Sequence, residues 1–374
     1  MNENKTGHVC PVFVVRRIAM KILKQLEHLS KALLGRYFEP RRERFARQNN
    51  ILSEYNIRKM LFIRNDRIGD LVISEPVFRN LKKCYPEVQI DVLLGKSNFA
   101  SRNGVARYID KFYCYKKNFR ADRELLKHLR KEKYDLVVDL MDKKSTTSAI
   151  IIKMIKARFA AGYDKENGHI YNFVVPQLNK SDYHIVERTG SILQLFGISN
   201  PDLMPQWNIS DSAAGQAASN KSGRPLLGIN LSGSNATKYW GEDNYRDFIV
   251  LFAKEFPNVE VVLLYTKDYE AAAKRIAGTT GVHLGGLFPN FDDYAAYIAG
   301  LDFLLTPDTA AVHLASAFRK KCIVLYNQNI DDKTLLKPWF PYNIEYHAFG
   351  TKTGNLSEIS PKAVLEAAKT LFVQ

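Results

Sequence analysis

Three turns hold the residues best suited to chemistry in this 374-residue chain. The first is Asn65-Asp66-Arg67-Ile68-Gly69-Asp70, set between the apolar run Met60–Arg64 and a helical pattern that starts at Leu71. A carboxylate at or near the N-cap of such a helix either caps it or faces a ligand, and both roles are open to Asp70. Gly69 would let backbone approach whatever binds there. The second turn, Ser232-Gly233-Ser234-Asn235-Ala236-Thr237-Lys238, offers hydroxyls, glycine-adjacent N–H groups and a lysine ahead of a helix. The third, Thr306-Pro307-Asp308-Thr309-Ala310-Ala311-Val312-His313, ends an apolar run and begins a helix with small residues, whose N-terminus can accept an anion. Asp308 and Thr309 suit a cap, and His313, one turn in, either packs or binds. The chemistry implied is a site for a phosphorylated ligand at the second and third turns, with a carboxylate at the first that caps its helix or faces a ligand.

Apolar runs of strand type alternate with amphipathic stretches, and this pattern must position the turns. In the first half the strands fall at Met60–Arg64, Gln89–Gly95, Lys111–Lys116, Asp135–Leu140 and Arg158–Tyr163, with a helix over His184–Phe196 stopped by Gly197. Residues 198–224 break the pattern with prolines, serines and Gly223, which reads as a linker. Strands then resume at Leu226–Leu231, Val259–Tyr265, Val282–Gly285, Asp302–Thr306 and Cys322–Tyr326, and a helix over Pro361–Phe372 closes the chain. Beta-alpha alternation on both sides of a linker predicts two Rossmann-like α/β halves with a ligand cleft between them. The domain plan is an extension over 1–58, an N-terminal domain over 59–200, a linker over 201–224 and a C-terminal domain over 225–374. The last helix is placed to pack back on the N-terminal domain.

Composition narrows the field further. No GxGxxG follows a strand, the Gly233–Lys238 turn lacks the second glycine of a P-loop, and GxSxG and HExxH are absent. Cys10, Cys84, Cys114 and Cys322 lie far apart and match neither a disulfide framework nor a zinc site. The net charge of +15 is uneven: residues 1–50 hold eleven Lys and Arg against four Glu, a net +7. There Ile22, Leu26, Leu29, Leu33 and Tyr37 recur at helical spacing among Lys21, Lys24, Lys31 and Arg36. Such a basic amphipathic helix either docks on anionic lipid or packs on the body. A nucleic-acid partner is not expected.

RNDRIGDLVISEP, LSGSNATKYWGEDNY and DFLLTPDTAAVHLASAF, in this order and spacing, resemble the three signature regions of glycosyltransferase family 9, the heptosyltransferases. The resemblance implies a GT-B fold and inverting, metal-independent transfer from a nucleotide sugar, such as ADP-heptose, to a lipopolysaccharide core acceptor, with no cofactor. It implies Asp70 as catalytic base and donor contacts from Ser232, Gly233, Ser234, Lys238, Asp308, Thr309, Ala310 and His313. Glu270 is the match for a ribose-binding glutamate, and Arg67, Gly69 and Glu75 fall on the acceptor side. Ala310 stands where a glycine is usual, and Glu75 where Thr or Leu is usual. A lipid-linked acceptor implies a cytoplasmic enzyme peripheral to the inner membrane face. The competing reading is a non-catalytic basic scaffold that binds anionic lipid or nucleic acid through residues 1–50.

Overall fold

The computed structural model of the chain describes residues 42–45, 50–219, 223–233, 235–330 and 339–372, with only the backbone described over 216–219. The proposed amphipathic helix of the extension and Ser234 lie outside the described residues.

Each half is built on a six-stranded sheet in which every pairing is parallel. The first contains β1 (Lys59–Arg64), β2 (Gln89–Gly95), β3 (Lys111–Tyr115), β4 (Leu136–Asp139), β5 (Phe159–Asp164) and β6 (Phe173–Pro176), ordered β3-β2-β1-β4-β5-β6. The second contains β7 (Leu226–Asn230), β8 (Glu260–Leu264), β9 (His283–Leu284), β10 (Phe303–Pro307), β11 (Lys321–Tyr326) and β12 (Tyr346–Gly350), ordered β9-β8-β7-β10-β11-β12. The order within each half is the same. Each sheet therefore reverses its winding beside its first strand, where a crevice opens at the carboxyl ends.

Helices α1 (Ile51–Glu54), α2 (Ile68–Val72), α3 (Glu75–Cys84), α4 (Phe119–Lys131), α5 (Thr146–Ile155) and α6 (Ile185–Gly190) belong to the first half. After α7 (Asp211–Ser219) come α8 (Glu242–Glu255), α9 (Glu270–Thr280), α10 (Phe291–Gly300), α11 (Ala310–Ala317) and α12 (Pro361–Phe372). Strands covered on both faces must be apolar throughout, which is why β1 reads Met60-Leu61-Phe62-Ile63 without alternation, all of it buried. Phe62 packs edge-on against Phe78 of α3 at 5.3 Å, while Leu61 and Ile63 join Leu126, Leu129 and Ile152 on the opposite face. In the second half Trp240 is fully buried and donates its indole N–H to the Ile359 carbonyl at 2.9 Å.

The 201–224 linker is docked over its described residues. Arg79 of α3 donates to the Asp202 carboxylate at 2.7 Å, Trp207 lies where a Cβ on Gly104 would come within 1.8 Å, and α7 packs on α10. The last helix, α12, packs mainly against α8 and β11 of its own half among the described residues. Finally, α2 starts earlier than Leu71, with Arg67 as its N-cap, so Asp70 is the third helical residue.

The part of the extension that is described lies against the first sheet. Arg42 donates its backbone N–H to the His169 carbonyl and Phe45 donates to the Asn172 carbonyl, each at 3.1 Å. The Phe45 ring sits between Tyr55, Phe159 and Phe173, with centroids 5.5 to 5.9 Å away. No described helix is long and apolar enough to cross a membrane.

Candidate active site

At the end of β1, Arg64 is almost wholly buried, with 1% of its side chain exposed, and anchors the first turn. Its guanidinium donates to the Leu140 carbonyl, donates to the Asp70 carbonyl at 2.9 Å, and lies 3.4 Å from the Asp66 carboxylate and 3.5 Å from that of Asp70. The Asp70 carboxylate also accepts the Arg67 backbone N–H at 3.2 Å, the reciprocal half of a capping box. Capping and facing a ligand are compatible here, because the Asp70 side chain keeps 14% of its surface exposed. Asp66 shares the same guanidinium, and its Oδ1 is buried without a protein partner. Burial pushes the Asp66 carboxyl up to about 7; Asp70 and Asp139 push the same way, and Arg64 pulls it down. Two carboxylates thus divide one buried cation between them.

Across the cleft, the Lys238 ammonium donates to both the carboxylate and the backbone carbonyl of Asp308, each at 2.6 Å, just ahead of α11. Thr309 caps α11 by accepting the Ala311 N–H at 3.2 Å, and Ala310 is the first helical residue. The Thr309 hydroxyl is set by Asn230, whose side-chain amide donates to Thr306 Oγ1 at 3.0 Å and to Thr309 Oγ1 at 3.4 Å. Asn230 was missed from the sequence; its only signal was a polar residue ending the otherwise apolar run Leu226–Leu231. The Ser232 hydroxyl accepts the Thr266 N–H at 2.7 Å, tying the second turn to the end of β8. Gly233 is required by the fold of that turn, since a Cβ there would stand 2.5 Å from Lys238 Cβ.

The two edges meet where α2 packs against α11. A Cβ on Gly69 would lie 2.7 Å from His313 Cδ2 and 3.7 Å from Ala310 Cα. Gly69 therefore admits the opposite helix at this junction. His313 is buried, which pushes its imidazole below the ordinary histidine range, while Asp308 and Asp70 pull it up. Asp70, Arg64 and Asp308 thus all act on one ring. Nearby His184 is held down to about 4 by burial; its Nε2 is 2.6 Å from the Phe340 carbonyl and its ring lies 4.7 Å from Tyr342.

The place of Glu75 on the acceptor side is corrected. It is fully buried, paired with Arg79 at 2.9 Å and accepting the Gln206 N–H at 2.8 Å, so it fastens the linker instead of facing an acceptor. Arg67 is exposed at the rim of the first turn. Glu270 opens α9 beyond the end of β8; hydrogen bonds from Lys267 and Lys274 hold its carboxyl down to about 2. Among the described residues no group of three or more His, Cys, Asp or Glu is placed to hold a metal ion.

A carboxylate beside a cleft, opposite a lysine and a helix N-terminus, can accept a proton on one side and stabilise departing phosphate on the other. Two all-parallel sheets of equal strand order with that pairing at their facing edges define a GT-B glycosyltransferase. Residues 123–368 match the profile of glycosyltransferase family 9 (heptosyltransferase), and the chain belongs to that family. It is 25% identical over 303 residues to lipopolysaccharide heptosyltransferase 3 of Escherichia coli, covering 75% of this chain and 86% of the relative. It is 20% identical to the lipopolysaccharide core heptosyltransferase OpsX of Haemophilus influenzae, covering 72% and 79%. Among solved structures, the family 9 glycosyl transferase of Veillonella parvula superposes with a TM-score of 0.71 at 16% identity, covering 84% of this chain and 97% of that one. The E. coli ADP-heptose lps heptosyltransferase II gives 0.66 at 22% identity, covering 84% and 99%.

Proposed function

We propose that the protein transfers heptose from ADP-heptose to a lipopolysaccharide core acceptor, with inversion at the anomeric carbon and without a metal. The observation that carries this reading is the apposition of Asp70 on α2 with Lys238, Asp308 and Thr309 at α11, brought about by the Gly69–His313 contact. In the reaction, the acceptor hydroxyl attacks the anomeric carbon as the bond to the diphosphate breaks. Asp70 takes the hydroxyl proton, and Arg64 and the Arg67 N–H hold its carboxylate in place. The diphosphate gains charge as it leaves. Lys238 and the N-terminus of α11, with the Ala310 amide, balance it. Ser232 and Gly233 line the same turn, and Glu270 is assigned to the ribose. The acceptor enters over the first sheet, past Arg67. The names of the relatives support heptose and lipopolysaccharide as the substrate classes. The enzyme works in the cytoplasm at the inner membrane face, where such an acceptor is made available.

The test is a panel of nucleotide sugars offered with truncated lipopolysaccharide acceptors, scored by released nucleoside diphosphate. ADP release that depends on both ADP-heptose and an acceptor supports the reading. Release from another donor only would overturn the assignment of the sugar.

A further inference from the structure

One exposed aromatic stands apart from the rest of the surface. Phe119, the first residue of α4, has 88% of its surface exposed, against 38–56% for the other large apolar side chains on the described surface. Cations surround it in the chain. Lys116 and Lys117 precede it, Arg120 and Arg123 follow, and Lys96 ends the neighbouring strand connection; all five are exposed, and none makes a salt bridge with a described carboxylate. The acidic residues nearby are accounted for. Asp122 is buried and accepts the N–H groups of Lys116 and Asn118 at 2.8 and 2.7 Å, Glu124 pairs with Lys127, and Glu132 pairs with Lys59. On α4, Phe119, Arg123, Lys127 and Arg130 are exposed, while Leu126 and Leu129 are buried in the body.

Position gives the patch its meaning. Arg64, Leu94 and Cys114 are in register across β1, β2 and β3. The end of β3 is thus two strand spacings, about 10 Å, from the end of β1. The Lys116–Phe119 turn therefore leaves the sheet on the same edge as the catalytic turn.

We propose that Phe119 and its ring of cations form a membrane-contact surface that seats the first domain on an anionic phospholipid bilayer, with the acceptor side of the cleft beside it. An exposed ring amid unpaired cations suits the headgroup boundary, where the apolar side chain inserts and the cations meet lipid phosphate. A protein partner would need an apolar patch with a polar rim, and here a single ring stands among charges of one sign. The proposal names the surface that serves the reaction proposed above, and so rests on that reading for its purpose, though not for its test.

The experiment measures sedimentation of the full chain with vesicles of phosphatidylethanolamine containing phosphatidylglycerol, and with vesicles of phosphatidylcholine alone, in the absence of any sugar donor or acceptor. Full-length protein should bind the anionic vesicles and lose most binding at high salt. Each cation removed should weaken binding about fivefold, so Lys116→Ala with Lys117→Ala should cost more than tenfold. Phe119→Ala should weaken binding about tenfold by removing the inserted ring. Melting temperature and turnover on a soluble acceptor should stay unchanged in these variants, since the side chains are exposed. Unchanged vesicle affinity in both variants would overturn the proposal and leave residues 1–41 as the membrane contact. Binding to nucleic acid with equal affinity, lost in the same variants, would also overturn it.

Discussion

Asp70→Asn keeps a side-chain oxygen for the Arg67 N–H but removes the basicity, so turnover should fall on the order of a hundredfold or more while donor affinity holds. Steady-state kinetics with nucleotide titration checks this, and near-normal turnover would shift the role to Asp66. Asp66 makes its own prediction. Its carboxyl is raised to about 7 mainly by burial, so the folded state binds a proton that the unfolded chain releases near pH 4. Stability is then fully present below pH 4 and is lost as pH rises towards 7, by at most about 1.4 kcal/mol per pH unit. Asp66→Asn should flatten that slope in denaturant titrations at several pH values; an unchanged slope would count against the assignment. In the wild type, ionising Asp66 near pH 7 adds negative charge on the reacting hydroxyl's side of the cleft, so turnover should climb there and Asp66→Asn should lose the climb. Lys238→Ala should weaken nucleoside diphosphate binding on the order of tenfold, more at low ionic strength, as read by calorimetry. The sequence exposed these groups because charged residues in turns after strands stand out. It could not expose the role of Asn230 in orienting Thr309, nor the buried partners of Glu75, since both depend on contacts 76 and 131 residues away.

At the scale of elements, Gly69→Ala tests the junction of α2 and α11. Alanine gains up to about 1 kcal/mol in helix propensity, but its methyl would meet buried His313 at 2.7 Å, and overpacking typically costs about 1–3 kcal/mol. The clash should win, cutting turnover about tenfold and lowering the melting temperature, because one apolar core runs through both halves, with Phe62 and Leu304 in the same cluster. Normal kinetics in that variant would mean that the helices do not need this approach. Most strands were legible because burial on both faces makes them continuous apolar runs. The two that were missed, β6 and β12, are edge strands: FVVP is short and ends in proline, and YHAFG is half-buried along its length. The docking of the linker was not legible for a related reason. The groups that hold it, Arg79, Glu75 and Gly104, belong to other elements.

For the whole molecule, the described part of the extension decides where truncation is tolerated. Removing residues 1–41 leaves Arg42 and Phe45 in place. Removing 1–50 also takes away the Arg42 side-chain bonds to Ala157, Arg158 and Asn172 and the Phe45 ring from its aromatic cluster. A side chain of that kind typically contributes about 3 kcal/mol or more, so the longer truncation should melt several degrees lower by calorimetry. Equal melting temperatures would mean that the strap adds nothing. Two Rossmann-like halves were readable from the alternation alone; their strand order and how closely their facing edges approach were not, because Gly69 marks the contact only by lacking a side chain.

The uniform direction of the strands has a kinetic consequence. No strand in either sheet folds onto its neighbour through a tight hairpin, so every pairing must close a loop through a helix or a long crossover. Chains of that kind commit late, exposing apolar strands such as β1 and β8 until partners from distant segments arrive. Recovery from denaturant should therefore depend on how dilute the chain is: good yield at low concentration, and aggregation in place of refolding as concentration rises.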